Sequence, residues 1–428
     1  MNVRNKSRFF LVVLVAASCL ALPASSSLDK LLEAGMRNNP RLKAAFHTWR
    51  AKVESIARAR ALPDPQLSFA QFVHPIETRV GPQRQRIGLT QRFPWFGKLK
   101  LKGDAAAEAA EKERMTFEYL KWELEFDIKK NYYAHYYLQR SIAILREHIR
   151  LLGYLEGVLD ARYKVGQVLL SDVLRIQIER ESLRDRLDDA RGRVPPLEAM
   201  LNVLAGRATR TPIRSEARLE VPEVEVDFQY LSGLISAENP SLKALGHAVD
   251  VERLGKRLAR LDALPDISLG VDYILIGEAR MPDVMGSGTD PFAVKMSMSL
   301  PIWSKKNKAA VREAEARYQM AMWRKQDAEN LLLAKLESVY AAYESAMRTL
   351  KLYRHSLIPK ARQAMAVTQT AFETGKTDFL HYIDSLRTVL NLELDVEKAA
   401  VEAATQLAAL EMLTGLGAVD NRKKEIAN

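Results

Sequence analysis

Methionine thioethers are soft ligands for copper(I), and Met281, Met285, Met296 and Met298 fall in or near one short stretch of the chain. Met296 and Met298 are two residues apart in an alternating segment, so they share one apolar face and read as packing or lipid-facing side chains rather than ligands. The seven histidines are scattered with no pair at ligand spacing, and no phosphate loop or nucleophile motif occurs. No catalytic residue, metal centre or cofactor is expected, and the chain does not read as an enzyme. Cys19 is the only cysteine, which excludes an intramolecular disulfide. Within Ala16-Ala17-Ser18-Cys19 it is instead a candidate lipid-bearing first residue of a lipoprotein.

Arg4, Lys6 and Arg8, then an apolar run from Phe9 to Ala17, then small residues through Ser27, have the anatomy of an export signal covering residues 1–24. The net charge of +11 raises the question of nucleic acid. Its lysines and arginines are interspersed with acids along amphipathic helices, so they read as solvated faces, and an export signal argues against a nucleic-acid partner.

The remaining chain is a tandem duplication. Asn39-Pro40 followed by Leu42-Lys43-Ala44 returns as Asn239-Pro240 followed by Leu242-Lys243-Ala244, an offset of 200 residues. Ala61-Leu62-Pro63-Asp64 returns as Ala263-Leu264-Pro265-Asp266 at an offset of 202, and Tyr163-Lys164-Val165-Gly166 matches Phe372-Glu373-Thr374-Gly375 at 209. One repeat covers 28–208 and the other 227–417, with a polar tail at 418–428. In the first repeat a helix over 41–61 is stopped by Leu62-Pro63-Asp64-Pro65. Period-two alternation then predicts strands at about 66–73 and 84–93, and in the second repeat at about 266–275 and 292–300.

Nine or ten residues with one apolar face suit a strand that crosses a bilayer in a closed barrel. Phe93-Pro94-Trp95-Phe96 and Pro301-Ile302-Trp303 place aromatic rings at the strand ends, where the membrane-water boundary would lie. Phe93, Trp95, Phe96 and Trp303 are therefore candidate interface anchors. Four strands cannot close a barrel, and an open edge in hydrocarbon leaves backbone groups unpaired, so several copies must pool their strands into one wall. Lys98, Lys305 and Lys306 open the following helices, where they oppose the helix dipole. Acidic lipid headgroups reached by snorkelling side chains would account for them.

From Lys98 to Val165 no proline occurs, and a helix of that length spans about 100 Å. Leu138, Ile142, Leu145, Ile149, Leu152 and Leu159 form a coiled-coil seam along it. The second repeat runs similarly from Lys305 to Thr374, broken only by Pro359. Return helices after Gly166 and Gly375 supply the partners, through Leu174, Ile178, Leu183 and Leu187 in one copy and Ile383, Leu386, Leu390 and Leu394 in the other. The fold class is mainly α with a small β part: a duplicated unit of a long helical hairpin plus a β-hairpin.

That unit, with Pro63-Asp64-Pro65, Thr90-Gln91-Arg92-Phe93-Pro94-Trp95-Phe96-Gly97-Lys98 and Tyr163, Gly166 and Asp172-Val173-Leu174, resembles the TolC family of outer-membrane efflux factors. The resemblance covers nearly the whole mature chain, and its strand-to-helix turn is most similar to members that work with heavy-metal pumps. It implies a homotrimer whose twelve-stranded β-barrel lies in outer-membrane lipid and continues as an α-helical barrel in the periplasm. It also implies a tripartite efflux pump, with a periplasmic adaptor (membrane fusion protein) and an inner-membrane pump of the resistance-nodulation-division type. Tyr163, Gly166, Phe372 and Gly375 would then form the adaptor-docking tip. Asp172, His381 and Asp384 would line a periplasmic gate, with the three Asp384 carboxylates attracting cations, raising one another's pKa and His381 adding pH sensitivity. The alternative is a soluble periplasmic coiled-coil scaffold or adaptor, which explains the heptads but not four amphipathic strands bounded by aromatic residues.

Overall fold

The computed structural model describes residues 27–216, 218–223 and 227–415; the export signal, Cys19 and the polar tail lie outside the described residues. In chain order the elements are α1 (Ser27–Asn38), α2 (Pro40–Arg60), β1 (Gln66–Thr78), β2 (Gly81–Phe93), α3 (Lys98–Lys164) and α4 (Leu170–Leu204). The second repeat follows with α5 (Phe228–Glu238), α6 (Pro240–Leu261), β3 (Ile267–Ile276), β4 (Phe292–Met298), α7 (Ser304–Leu352), a π-helical turn (Tyr353–Leu357), α8 (Ile358–Glu373) and α9 (Phe379–Thr414). Among the described residues no helix is long and apolar enough to cross a membrane.

The repeated Asn-Pro pairs do the same work twice. Asn39 Oδ1 accepts from the amides of Arg41 (2.8 Å) and Leu42 (3.3 Å), capping α2, while its Nδ2 donates to Leu204 O (2.9 Å) at the end of α4. Asn239 Oδ1 accepts from Ser241 (2.9 Å) and Leu242 (3.3 Å), and its Nδ2 donates to Leu413 O (2.8 Å) at the end of α9. One side chain thus satisfies orphan amides at a helix start and an orphan carbonyl at the end of the return helix. Pro40 and Pro240 cost nothing at a first helical position. Around each asparagine sits an apolar cluster, Leu31, Leu42, Ile128 and Leu201 in one repeat and Leu231, Ile235, Leu242, Leu336 and Leu410 in the other.

The strands form one antiparallel sheet in the order β1-β2-β3-β4. Gln66↔Thr90 in the first hairpin corresponds to Ser268↔Ser297 in the second, so the ladder reproduces the duplication residue for residue. β1 and β2 extend beyond the expected limits, with Glu77↔Pro82 and Thr78↔Gly81 continuing the pairing past a register shift between Gln71 and Ile76. Polar residues there hide strand character that backbone pairing imposes. Along one face, the rows Leu67-Leu89-Val271-Val294 and Phe69-Ile87-Tyr273-Phe292 run straight across the sheet. All eight side chains are exposed, Leu67 by 76% and Val294 by 75%. β1 and β4 are edges with no strand beyond them among the described residues.

α3 is one unbroken helix of 67 residues, whereas its counterpart is divided by the π turn ahead of Pro359. The repeat offset explains this. It is 207 at Pro94/Pro301 and still 207 at the buried pair Tyr136/Tyr343, but 209 at Gly166/Gly375. Two residues are therefore extra between Tyr343 and Gly375, and the five-residue π turn falls in that interval. A π turn takes in about one residue more than an α turn without ending the helix, and the wider turn also tolerates Pro359, which lacks an amide to donate.

The hairpins share one core from Ile142 to Leu159 on α3, Val173 to Leu187 on α4, and Phe372 with Phe379 to Leu394 on the second hairpin. The expected α3 seam packs there from Ile142 onward, Ile149 being half-buried and the rest buried, and Leu138 is buried ahead of it. On α4 the first turns differ from expectation: Leu174 and Ile178 are exposed (50% and 70%), and Val173 and Ile176 are buried instead. Leu183 and Leu187 do pack inward, as do Ile383, Leu386, Leu390 and Leu394.

Candidate channel wall and helical tips

The inner face of the sheet is polar and densely paired. Asp272 on β3 is 3% exposed and ion-paired with Arg86 of β2 and with Lys295 Nζ of β4 at 2.8 Å. Gly88 and Gly270 make room for this group: a Cβ on Gly88 would lie 2.4 Å from Asp272 Oδ1, and one on Gly270 would lie 2.6 Å from Lys295 Cε. Arg86, Asp272 and Lys295 had no distinguishing signal in the sequence beyond alternation, since pairing across three strands depends on register.

Where β2 meets β3, the two repeats are joined by a second cluster. Asp266, just ahead of β3, accepts from Lys98 Nζ (2.8 Å), Arg92 Nε (3.2 Å) and the Trp95 amide (3.0 Å). Lys98 Nζ also donates to Leu264 O at 3.1 Å. Burial works against the charged Asp266, but the hydrogen bonds from Lys98, Arg92 and Trp95 outweigh it and hold the carboxyl well below the usual carboxylate range. Lys98 is therefore not a lipid anchor: it is 4% exposed and committed to Asp266 inside the protein. A lysine at a helix start is tolerated because a neighbouring carboxylate compensates the dipole. The signal that could have found this pair is the repeated Ala-Leu-Pro-Asp motif, whose aspartate precedes a strand in both copies.

The other expected anchors are placed at the strand ends. Phe93, Phe96 and Trp303 are exposed, Phe96 by 83% and Trp303 by 70%; Trp95 is half-buried and meets Phe96 edge to face at 6.0 Å. Lys305 and Lys306 are exposed.

At the opposite end of the hairpins, Gly166 and Gly375 take φ of +75° and +71°. Gln167 N donates to Arg162 O (2.9 Å) and Lys376 N to Ala371 O (2.8 Å), so both helices close with the same Schellman bond. Tyr163 is exposed, but Phe372, its repeat counterpart, is not a docking surface. Phe372 is 6% exposed, stacks on Tyr382 at 5.7 Å, packs on Phe379, and lies under the Arg162 guanidinium at 5.0 Å. Apolar residues follow Gly375 at the start of α9, and burying the aromatic ring against them outweighs exposing it.

The three acid or histidine positions after the glycines lie in the first turns of the return helices. Asp172 accepts from the Leu169 amide at 3.3 Å, and so helps to cap α4. His381 is exposed, and its Nδ1 lies 2.6 Å from Asp378 Oδ1. Asp378 N-caps α9 through the His381 amide (3.1 Å), and bonds from His381 hold its carboxyl below the usual range. Asp384 pairs with Arg387 Nη1 at 3.2 Å, and Arg387 also reaches Glu179 on α4 at 2.6 Å. Asp384 is thus already compensated within its own chain. Arg387 and Glu179, which tie the two hairpins together near the tip, escaped notice because their partnership is long-range.

A group able to hold a cation was also invisible in sequence spacing: Glu108 on α3 faces His247 and Asp250 on α6, with all three ligand atoms within 4.8 Å of one another. His247 Nδ1 is bonded to Glu108 at 2.7 Å and Asp250 to Arg253 at 2.7 Å, so protein partners satisfy both.

Residues 231–416 match the family model described as outer membrane efflux protein. A curated relative, the alkaline protease secretion protein AprF of Pseudomonas aeruginosa, is 24% identical over 186 residues, which is 43% of this chain and 38% of AprF. Among solved structures, a membrane protein from Pseudomonas aeruginosa superposes with a TM-score of 0.78 at 18% identity, covering 91% of this chain and 94% of that one. The Neisseria gonorrhoeae MtrE outer membrane channel in its open state gives 0.74 at 18% identity, covering 91% and 89%. The Vibrio cholerae outer membrane protein VceC gives 0.74 at 16%, covering 91% and 96%. The outer membrane efflux protein model thus fills the second repeat, and the chain shares across both repeats the fold of these solved outer-membrane proteins.

Proposed function

We propose that the protein is the outer-membrane channel of a tripartite efflux system. Three protomers pool their strands into a twelve-stranded barrel, and the helical hairpins continue it as a tunnel through the periplasm. Substrate passes down this duct without chemistry on the polypeptide, driven by an inner-membrane pump and admitted when an adaptor engages the hairpin tips. The observation that carries the reading is the exposed apolar face with an unpaired edge on each side: β1 and β4 each offer a row of backbone groups, and the row Leu67-Leu89-Val271-Val294 offers only hydrocarbon side chains. Water does not suit that face, and lipid does not tolerate those edges unless neighbouring copies pair them. A soluble scaffold would have no reason to carry either feature.

The finer parts of the reading rest on the family resemblance. Gly166, Gly375 and the exposed Tyr163 are positioned for adaptor docking, the pump is of the resistance-nodulation-division type, and Asp172, His381 and Asp384 narrow the periplasmic mouth. The decisive experiment is fractionation: the protein is expected in the outer membrane as an oligomer that dissociates on heating, and a monomer free in the periplasm would overturn the reading. Single-channel recording tests the gate separately. Asp384→Ala is expected to weaken cation block, and unchanged block would remove Asp384 from the mouth.

A further inference from the structure

The two repeats are joined inside one chain by a seam, β2 against β3, whose chemistry is fully visible, and the outer edges of the sheet repeat its parts without repeating its contacts. We infer that Asp64 of one protomer pairs with Lys305 of the next, closing the β4-β1 seam between copies as Asp266 and Lys98 close the internal one. The inference rests on the shared-barrel reading above and adds its residues and its register.

The argument is one of equivalence. Asp64 stands to β1 as Asp266 stands to β3, at the end of the same Ala-Leu-Pro-Asp sequence. Lys305 stands four residues after Pro301, as Lys98 stands four after Pro94, and each begins its helix within a residue. Both strand ladders obey this equivalence, as Gln66↔Thr90 and Ser268↔Ser297 show. Inside the chain, Lys98 and Asp266 are paired at 2.8 Å with 5% and 9% of their side chains exposed. At the edges, Asp64 and Lys305 are exposed, and neither has an ion-pair partner among the described residues. The two halves of a charge pair thus lie on opposite edges of one sheet, an arrangement that only a second copy of the same chain satisfies head to tail.

Carrying the internal register across fixes the strand pairing as well. Thr90↔Gly270 of the β2-β3 ladder becomes Ser297 opposite Ser68 of the next protomer, and Leu89↔Val271 becomes Met296 opposite Phe69. The apolar rows then continue around the outside of the barrel without a break. The copied seam is weaker than its template. Arg92 is replaced by Ser299, which already bonds the Asp266 amide at 2.7 Å, and the amide matching Trp95 belongs to Ile302, which donates to Leu300 O at 2.9 Å. Lys305 is left as the main partner of Asp64.

Charge reversal on the full-length protein, extracted in detergent and run unheated on a gel, tests this. Asp64→Lys and Lys305→Asp are each expected to lower the oligomer fraction about tenfold, and the double exchange to restore it. Oligomers that survive both single reversals, or a double exchange that rescues nothing, would overturn the inference, as would loss on Lys306→Asp with none on Lys305→Asp. Ser68→Cys combined with Ser297→Cys is expected to form a disulfide between protomers, because a Cβ on Gly270 in the template lies 2.8 Å from Thr90 Oγ1. Crosslinking of Ser297→Cys to Gln66→Cys or Ala70→Cys instead would overturn the register. A wild-type protein with no oligomer at all would sink the shared barrel itself, a result distinct from an oligomer indifferent to these charges.

Discussion

Asp64 and Asp266 close the same four-residue motif, yet one is buried under a lysine, an arginine and a backbone amide while the other stands in solvent. The difference lies in where each hairpin meets its neighbour. The second hairpin meets the first inside the chain, so its aspartate finds Lys98; the first hairpin faces outward, so its aspartate finds nothing in the same chain. In the proposed barrel a duplicated unit uses one interface internally and keeps the other for assembly, and the same contrast recurs at Lys98 and Lys305.

The strongest way to break this comparison is Asp266→Ala. It strands Lys98 in a buried site, and the expected loss of folding stability is about 3–5 kcal/mol. Asp64→Ala is expected to leave the folded protomer unchanged; denaturant titration of each variant in detergent compares them, and equal losses would erase the distinction between the seams.

The return helices offer the next contrast. Ile383 on α9 is 0% exposed and Ile178 on α4 is 70% exposed. Ile383→Ala is expected to cost about 2–5 kcal/mol and Ile178→Ala less than about 0.5 kcal/mol for the protomer. The same titration would show whether α4 and α9 differ as much as their burial says.

The two tips, by contrast, are expected to behave alike. Both glycines have positive φ, and nothing lies within 4 Å of a Cβ at either, so Gly166→Ala and Gly375→Ala are each expected to cost about 1–2 kcal/mol from backbone strain alone. Melts that separate them would show that Phe372 and its aromatic neighbours make the second tip stiffer.

The smallest effect separates the long helices. His135 on α3 is fully buried between Ser215 (2.6 Å) and Glu198 (3.2 Å), whereas the second repeat has Ala342 at the matching position. Burial lowers the His135 pKa despite the Glu198 bond. The unfolded chain therefore takes up a proton first: the histidine's stability contribution is complete above about pH 6.5 and declines as pH falls toward the lowered folded value, by less than about 1.4 kcal/mol per pH unit. Thermal melts at pH 7.5 and 5.5 are expected to show this decline, and His135→Gln to reduce it.

Much of the fold was legible because its signals are local. The Asn-Pro caps, the proline stops, the glycine turns and the period-two segments each act within a few residues. Site residues were less legible. Phe372 was expected at the tip because its repeat partner Tyr163 is there, but the apolar Phe379 and Tyr382 draw it inward. Leu174 and Ile178 reach Leu183 only through a five-residue step, whereas Val173 and Ile176 continue to Leu183 and Leu187 in steps of seven and four, so heptad register kept along the whole helix favours the stripe that is buried.

The sequence by itself determined that the chain is a duplication, that long helices alternate with four strands, and that those strands present one apolar face. Those properties come from backbone propensity, periodicity and internal repetition, all of which can be read along a single chain. Only the tertiary structure decided that Lys98 belongs to Asp266 rather than to lipid, that Asp272 gathers Arg86 and Lys295, and that a π turn interrupts the second long helix where the repeats differ in length. Each of these depends on register between segments far apart in sequence, and register is set when the strands and helices pack, not before.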